Sequence, residues 1–230
     1  MLLLLSATLL SEAGRPNPNY MVKFGRQNKN LSISRDSAVL VEAYRSEGSG
    51  TLFTLGDQVL LVSAAHVTGS KASKGYVIRG DKSYHFEVVY SHRYTDISFS
   101  VVKGHSGEGL TEYDPAEPSS IGDDMVYSGY PDSFNNCTFK GVLVGGEMIN
   151  YNPRYVLNIY SWFGSSGAVA FNSEGKAVGV NSSIANLNNR HSSENVAMES
   201  LAFFSPLYSY TQKEVIDMVC DYKIYSRMCK

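Results

Sequence analysis

The chain has 230 residues and a formal net charge of −2, from 20 basic and 22 acidic side chains, with 20 glycines and 16 tyrosines. That length allows one large all-β domain or two small ones, with a core that hides roughly 70% of the unfolded surface. Balanced, dispersed charge gives no electrostatic reason to expect nucleic acid or an anionic membrane as partner.

The chain opens Met1-Leu-Leu-Leu-Leu5 and stays apolar or small to Leu10. Ten such residues are too few to span a bilayer, which takes about 20, but they suffice for the hydrophobic part of a signal peptide. Ser11 and Ala13 stand at −3 and −1 of a cleavage after Ala13, although no Lys or Arg precedes the run. Residues 1–13 are read as a signal peptide, which makes the mature protein secreted or periplasmic and free of the membrane once it is removed. A retained segment would instead be a hydrophobic strand or arm of an intracellular or virion-associated protein.

Residues 14–37 are polar and carry Pro16 and Pro18, so an irregular lead-in is expected. Strands follow at Ala38–Arg45, Thr51–Leu55, Gln58–Ser63, Tyr76–Arg79, Tyr84–Tyr90 and Ile97–Lys103, with Gly48-Ser-Gly50 read as a turn. Gly56-Asp57 supplies hairpin chemistry between the second and third of these. Together, residues 38–103 make a first β unit. Residues 104–120, rich in Gly, Glu, Pro and Ser, read as a linker. A second unit over 121–209 has strands at Asp124–Ser128, Gly141–Ile149, Arg154–Ile159, Gly167–Asn172 and Ala177–Asn181, with Ala185–Asn195 loose. Thr211-Gln-Lys-Glu214 is a capping box opening a helix in the tail, 210–230, with Val215, Ile216, Val219 and Cys220 as its apolar face. Three cysteines are no disulfide scaffold: Cys220 and Cys229 pair in an oxidising compartment, or all three are thiols in a reducing one.

Three segments carry chemistry. In Leu60-Leu-Val-Ser-Ala-Ala-His66, an apolar strand runs through small residues and ends on a histidine at the edge of a cleft. Alone, such a histidine is more often structural, and His85, His92, His105 and His191 lack even this setting. In Tyr94-Thr-Asp96-Ile-Ser-Phe, an acid opens an apolar strand, where its charge is costly unless paired; the plainer reading is a turn cap. In Gly164-Ser-Ser166-Gly167, flanking glycines permit a tight loop that exposes the Ser166 Oγ and turns amides inward. Such a turn occurs in many loops.

Together, these segments resemble the trypsin-like (chymotrypsin-fold) serine peptidases. Leu-Val-Ser-Ala-Ala-His66, Asp96-Ile and Gly164-Ser-Ser166-Gly are similar to that family's histidine, aspartate and nucleophile motifs, in its order. Gly48-Ser-Gly50-Thr, Gly122-Asp-Asp-Met-Val-Tyr-Ser-Gly-Tyr-Pro131 and Phe171–Val180 extend the likeness across about residues 38–220. It lies nearest the bacterial and viral branch that includes glutamyl endopeptidases. The α/β-hydrolase order, Ser before acid before His, is not met.

The resemblance implies an all-β fold of two packed six-stranded antiparallel β-barrels with a C-terminal helix. It further implies a serine endopeptidase acting on polypeptides through His66, Asp96 and Ser166, with Gly164 and Ser166 amides as oxyanion hole and no metal or cofactor. Tyr160, Ser161, Asn181, Ser182, Ser183 and Ile184 would form the substrate pocket. Several positions depart from the family's better-known members. Ser165 replaces the Asp that pairs with a newly cleaved N-terminus, and Ala168-Val169 replaces Gly-Pro. Tyr160 stands at the pocket-floor Asp, Asn181 at the carboxylate-reading His, and Ile184 at a Gly that keeps pockets wide. A small or medium uncharged P1 residue follows. The alternative is a catalytically idle protein of the same fold, serving as a binding or structural module.

Overall fold

A computed structural model describes residues 29–188, 195–222 and 227–229. The apolar start, residues 14–28 of the lead-in and His191 lie outside the described residues.

Twelve strands are described, and they close into two antiparallel barrels of six. The first comprises β1 (Ala38–Ala43), β2 (Ser46–Leu55), β3 (Gln58–Ser63), β4 (Lys74–Arg79), β5 (Lys82–His92) and β6 (Ile97–Lys103). The second comprises β7 (Asp124–Gly129), β8 (Cys137–Ile149), β9 (Asn152–Asn158), β10 (Val169–Phe171), β11 (Ala177–Asn188) and β12 (Asn195–Pro206). Spatial order is β1-β2-β3-β6-β5-β4 and β10-β11-β12-β9-β8-β7. Closure leaves neither sheet an unpaired edge.

Local chemistry explains the hairpins. Leu55 pairs Gln58 across a two-residue turn, and Gly56 takes φ +57° there, which a residue without Cβ adopts cheaply. β3 is buried at every residue after Gln58, and β6 from Ile97 to Val102. Val39, Leu52, Leu60, Val62, Phe86 and Phe99 of the first barrel belong to one buried cluster, which Val169 and Phe171 of the second barrel join. Met125, Tyr127, Leu143, Leu157, Ala202 and Phe204 fill the second. Each such side chain contributes about 1.5–3 kcal/mol when fully buried. Phe53 joins the two units, its ring centroid 5.5 Å from Tyr113 of the connecting segment and 5.9 Å from Phe171 of the second barrel.

Three expectations are corrected. Lys29–Ser37, expected to be irregular, forms helix α1. It has no apolar stripe and buries Asn30, Ser34 and Ser37 instead; hydrogen bonds hold it, from Ser34 Oγ to Ser128 Oγ at 2.9 Å and from Asn136 Nδ2 to the Arg35 carbonyl at 2.8 Å. Gly48-Ser-Gly50 is strand, not turn, because β2 begins at Ser46 and turns with β1 at Tyr44-Arg45. Of the stretch 185–195, residues 189–194 lie outside the described residues; the described ones are strand, with Ala185 to Asn188 pairing Met198 to Asn195. Its partner β12 supplies a sixth strand to the second barrel.

A short helix, α2 (Ala65–Thr68), follows β3. Helix α3 (Gln212–Asp221) starts at the expected capping box, where Thr211 Oγ1 accepts from the Glu214 amide and Glu214 from the Thr211 amide. Val215 and Val219 of α3 dock on the first barrel, and a Cys220–Cys229 disulfide closes the tail. Cys137 is a free, half-buried thiol.

Candidate active site

His66 lies on the first turn of α2, where β3 gives out, and half of its side chain is solvent-exposed (49%). Asp96 closes the turn from β5 to β6, its amide donating to the His92 carbonyl at 2.8 Å. Its φ is +56°, a left-handed conformation that aspartate tolerates better than most residues. Three acceptors of Asp96 face one short segment. Oδ2 lies 2.7 Å from His66 Nδ1, Oδ1 accepts from the His66 amide at 2.9 Å, and the carbonyl accepts from the Ala65 amide at 3.3 Å. Such grip fixes the orientation of the imidazole and places a proton on Nδ1, since a carboxylate can only accept.

Ser166 stands in the loop between β9 and β10. Gly164 and Gly167 flank it with φ of +86° and +92°. A Cβ on Gly164 would overlap the Tyr130 carbonyl oxygen, and one on Gly167 would overlap Ser49 O and Ser63 Oγ and approach Ala64 N to 3.0 Å. Only glycine lets this loop press against the strand that leads to His66. Four carbonyls are tied down: Phe163 O accepts from the Asp132 amide (2.6 Å), Gly164 O from Ser49 Oγ (2.6 Å), Ser165 O from the Ala168 amide (3.1 Å) and Ser166 O from the Ser49 amide (2.8 Å). Peptide planarity points each following N–H away from its carbonyl. The amides of Gly164 and Ser166 are thereby turned from these acceptors and find no acceptor among the described residues. The hydroxyl of Ser166 makes no hydrogen bond among the described residues either.

The expected pocket residues divide. Asn181 and Ser161 are both buried and pair, Nδ2 to Oγ, at 2.8 Å; the Asn181 backbone also ties down the Ser166 loop, accepting from the Gly167 amide at 2.8 Å. Tyr160 is 42% exposed, its ring 5.2 Å from that of Phe139, and its carbonyl accepts from Tyr127 OH at 2.6 Å. Ser182 turns its hydroxyl to the Phe203 carbonyl at 3.0 Å. Ser183 is exposed, and the side chain of Ile184 lies outside the described residues. Among the described residues, no three His, Cys, Asp or Glu side chains converge as a metal site would require.

Two residues at this site escaped sequence reasoning. Arg154 of β9 is buried (7% exposed) and donates from Nη2 to the Tyr94 carbonyl at 2.7 Å. Burial pulls its guanidinium below the ordinary arginine range, with the charge of Asp96 acting the other way. Ser49 was visible only as part of a Gly-Ser-Gly string. Nothing local marks either residue, because their partners are 60 and 115 positions away.

Two closed barrels, with a buried-side acid bonded to a histidine and a glycine-framed serine loop packed beside it, define a peptidase of the double-barrel type. The chain belongs to the trypsin-like peptidase domain family, whose model matches residues 48–180, more than half of the sequence. It is an enzyme of the serine endopeptidase class. No curated protein sequence matches it. Among solved structures, it is similar to the active form of the Rv3671c protease from M. tuberculosis (20% identity, TM-score 0.64, 86% of each chain covered). It is also similar to a serine endoprotease from Yersinia pestis (18%, 0.65, 84% of this chain and 66% of that one). A third is the HtrA-type protease AlgW with a tripeptide (16%, 0.66, 84% and 63%). At these identities the likeness is one of fold.

Proposed function

We propose that the chain hydrolyses peptide bonds through an acyl-enzyme intermediate, with Ser166 as nucleophile, His66 as general base and acid, and Asp96 as the group that orients it. The observation that carries this reading is the 2.7 Å bond between His66 Nδ1 and Asp96 Oδ2. With its proton on Nδ1, the ring offers a free Nε2 to the Ser166 hydroxyl. Ser166 Oγ adds to the scissile carbonyl as its proton passes to Nε2. The oxyanion so formed is met by the Gly164 and Ser166 amides, whose lack of a protein acceptor supports that role. Collapse breaks the C–N bond, and His66 returns the proton to the leaving amine. Water then adds to the ester with the same base, and the carboxylic acid leaves Ser166 restored.

The substrate is a polypeptide. The uncharged Asn181–Ser161 pair and the absence of a charge at Tyr160 support a small or medium uncharged residue at P1. The Cys220–Cys229 disulfide supports export to an oxidising compartment. Cleavage of a diverse peptide library tests the reading. The wild-type protein should cut after uncharged residues, and Ser166→Ala should abolish cutting. Cleavage retained by Ser166→Ala would sink it.

A further inference from the structure

We propose that Ser49, a residue of the first barrel, is a positioning residue that keeps the Gly164 amide in its oxyanion-binding orientation by fixing the Gly164 carbonyl and the segment that carries Asp132; this rests on the catalytic reading above. Ser49 is fully buried in β2, and its polar atoms reach three separate segments. Its hydroxyl donates to the Gly164 carbonyl at 2.6 Å and accepts from the Tyr130 amide at 2.8 Å. Its own amide donates to the Ser166 carbonyl at 2.8 Å, and its carbonyl accepts from Ser63 Oγ at 2.8 Å. The two carbonyls it holds belong to the same two residues whose amides would bind the oxyanion.

Glycine is the reason such a clamp is needed. At φ +86° and with no side chain to pack, Gly164 keeps its conformation only if both neighbouring peptide planes are held. The plane before it is held at Phe163 O by the Asp132 amide. The plane after it is held at Gly164 O by Ser49. Asp132 in turn belongs to the segment that Ser49 grips through the Tyr130 amide. The bonds therefore close a ring, Ser49–Gly164–Phe163–Asp132–Tyr130–Ser49, with one hydroxyl serving two of its links. Take that hydroxyl away and the half-buried Gly164 carbonyl and Tyr130 amide lose their partner, which favours rotation of the loop towards other partners. The change removes no atom of the nucleophile or the base.

Ser49→Ala tests the clamp, with Ser100→Ala as the matched control: Ser100 is also buried in the first barrel, but its hydroxyl has no partner among the described residues. Gly129→Ala is a second route, since its methyl would stand 2.8 Å from Ser49 Oγ and displace that hydroxyl without removing it; it covers the case in which Ser49→Ala does not fold. On a peptide substrate, Ser49→Ala should lower kcat by about tenfold to a hundredfold, somewhat less than the roughly 10²–10³ seen when an oxyanion donor is deleted outright. KM should stay within about twofold, because the lost interaction is made in the transition state. Affinity for a peptidyl aldehyde, whose adduct carries the oxyanion, should fall in step with kcat. Gly129→Ala should move the same way by less, and Ser100→Ala should move nothing. Unchanged kcat and aldehyde affinity in a folded Ser49→Ala protein would overturn the proposal. Hydrogen exchange at the Tyr130 amide separates this inference from the catalytic one. If the wild-type protein proves inactive, the catalytic reading fails, yet protection of that amide should still be lost in Ser49→Ala and kept in Ser100→Ala. Protection that survives in Ser49→Ala overturns the clamp whatever the activity.

Discussion

The buried guanidinium of Arg154, on the second barrel, donates at 2.7 Å to the carbonyl of Tyr94, two residues ahead of Asp96 on the first. One bond thus ties the turn that carries the acid to the opposite barrel. Asp96 occupies a left-handed conformation that its surroundings must maintain, and Arg154 is part of those surroundings. Thr95 Oγ1, 3.0 Å from Tyr210 OH, is another. Arg154→Met keeps most of the apolar stem and removes the donor. It should lower the unfolding free energy by about 1.5–3 kcal/mol, the range for a hydrogen bond to a charged group, as read from urea denaturation. It should also lower kcat, because the turn that aligns Asp96 is loosened.

Asp96→Asn separates orientation from fold. The amide can still accept from the His66 backbone N–H, so thermal unfolding should be little changed. Its NH₂ group, however, favours the imidazole tautomer with the proton on Nε2. Steady-state kinetics should show kcat reduced by about 10⁴. A loss of tenfold or less would remove Asp96 from the mechanism.

His105 gives a pH dependence unconnected with catalysis. Its Nδ1 accepts from the Gly107 amide at 2.9 Å, and Arg79 Nη1 lies 3.2 Å from its Nε2. Burial, and then the charges of Arg79 and Lys82, hold its pKa below the ordinary histidine range. The unfolded chain therefore binds a proton before the folded one does. Stability from this residue is present above the unfolded pKa and is lost as pH falls from about 6.5 towards the lower folded value. His105→Gln should flatten that part of the stability–pH curve. A curve that keeps its slope would place the acid sensitivity elsewhere.

Export makes a prediction about the mature protein. N-terminal sequencing of natively produced material should begin at or near Gly14, and a thiol count should find Cys137 alone reactive. Retained Met1 and Leu2, with three free thiols, would contradict it.

Legibility followed the range of the interactions. The Gly56-Asp57 hairpin and the Thr211/Glu214 cap are decided within four residues, so their residue types announce them. His66 stands out in the sequence because an apolar strand ends on it, and Ser166 because two glycines frame it. What was missed is settled by distant partners. α1 is mostly polar, with only Leu31 and Ile33 apolar, and its Ser34 hydroxyl and Arg35 carbonyl are received by Ser128 and Asn136. β12 carries Glu199 and Ser200 among its apolar residues and pairs with β9 and β11, so its pattern alone did not announce a strand. Ser49 and Arg154 act on carbonyls, which every residue type possesses, so no side-chain spacing marks the contact. The barrels were implied by motif order, but the clamps between them were not.

The central claim is that Ser166 is an activated nucleophile, and reaction with a fluorophosphonate tests it most directly. Intact mass after brief exposure of the wild-type protein at neutral pH should show one covalent adduct, with the modified peptide mapping to Ser166. Ser166→Ala should show no adduct, and His66→Ala should react far more slowly. A wild-type protein that stays unlabelled, or an adduct that persists in Ser166→Ala, would contradict the assignment.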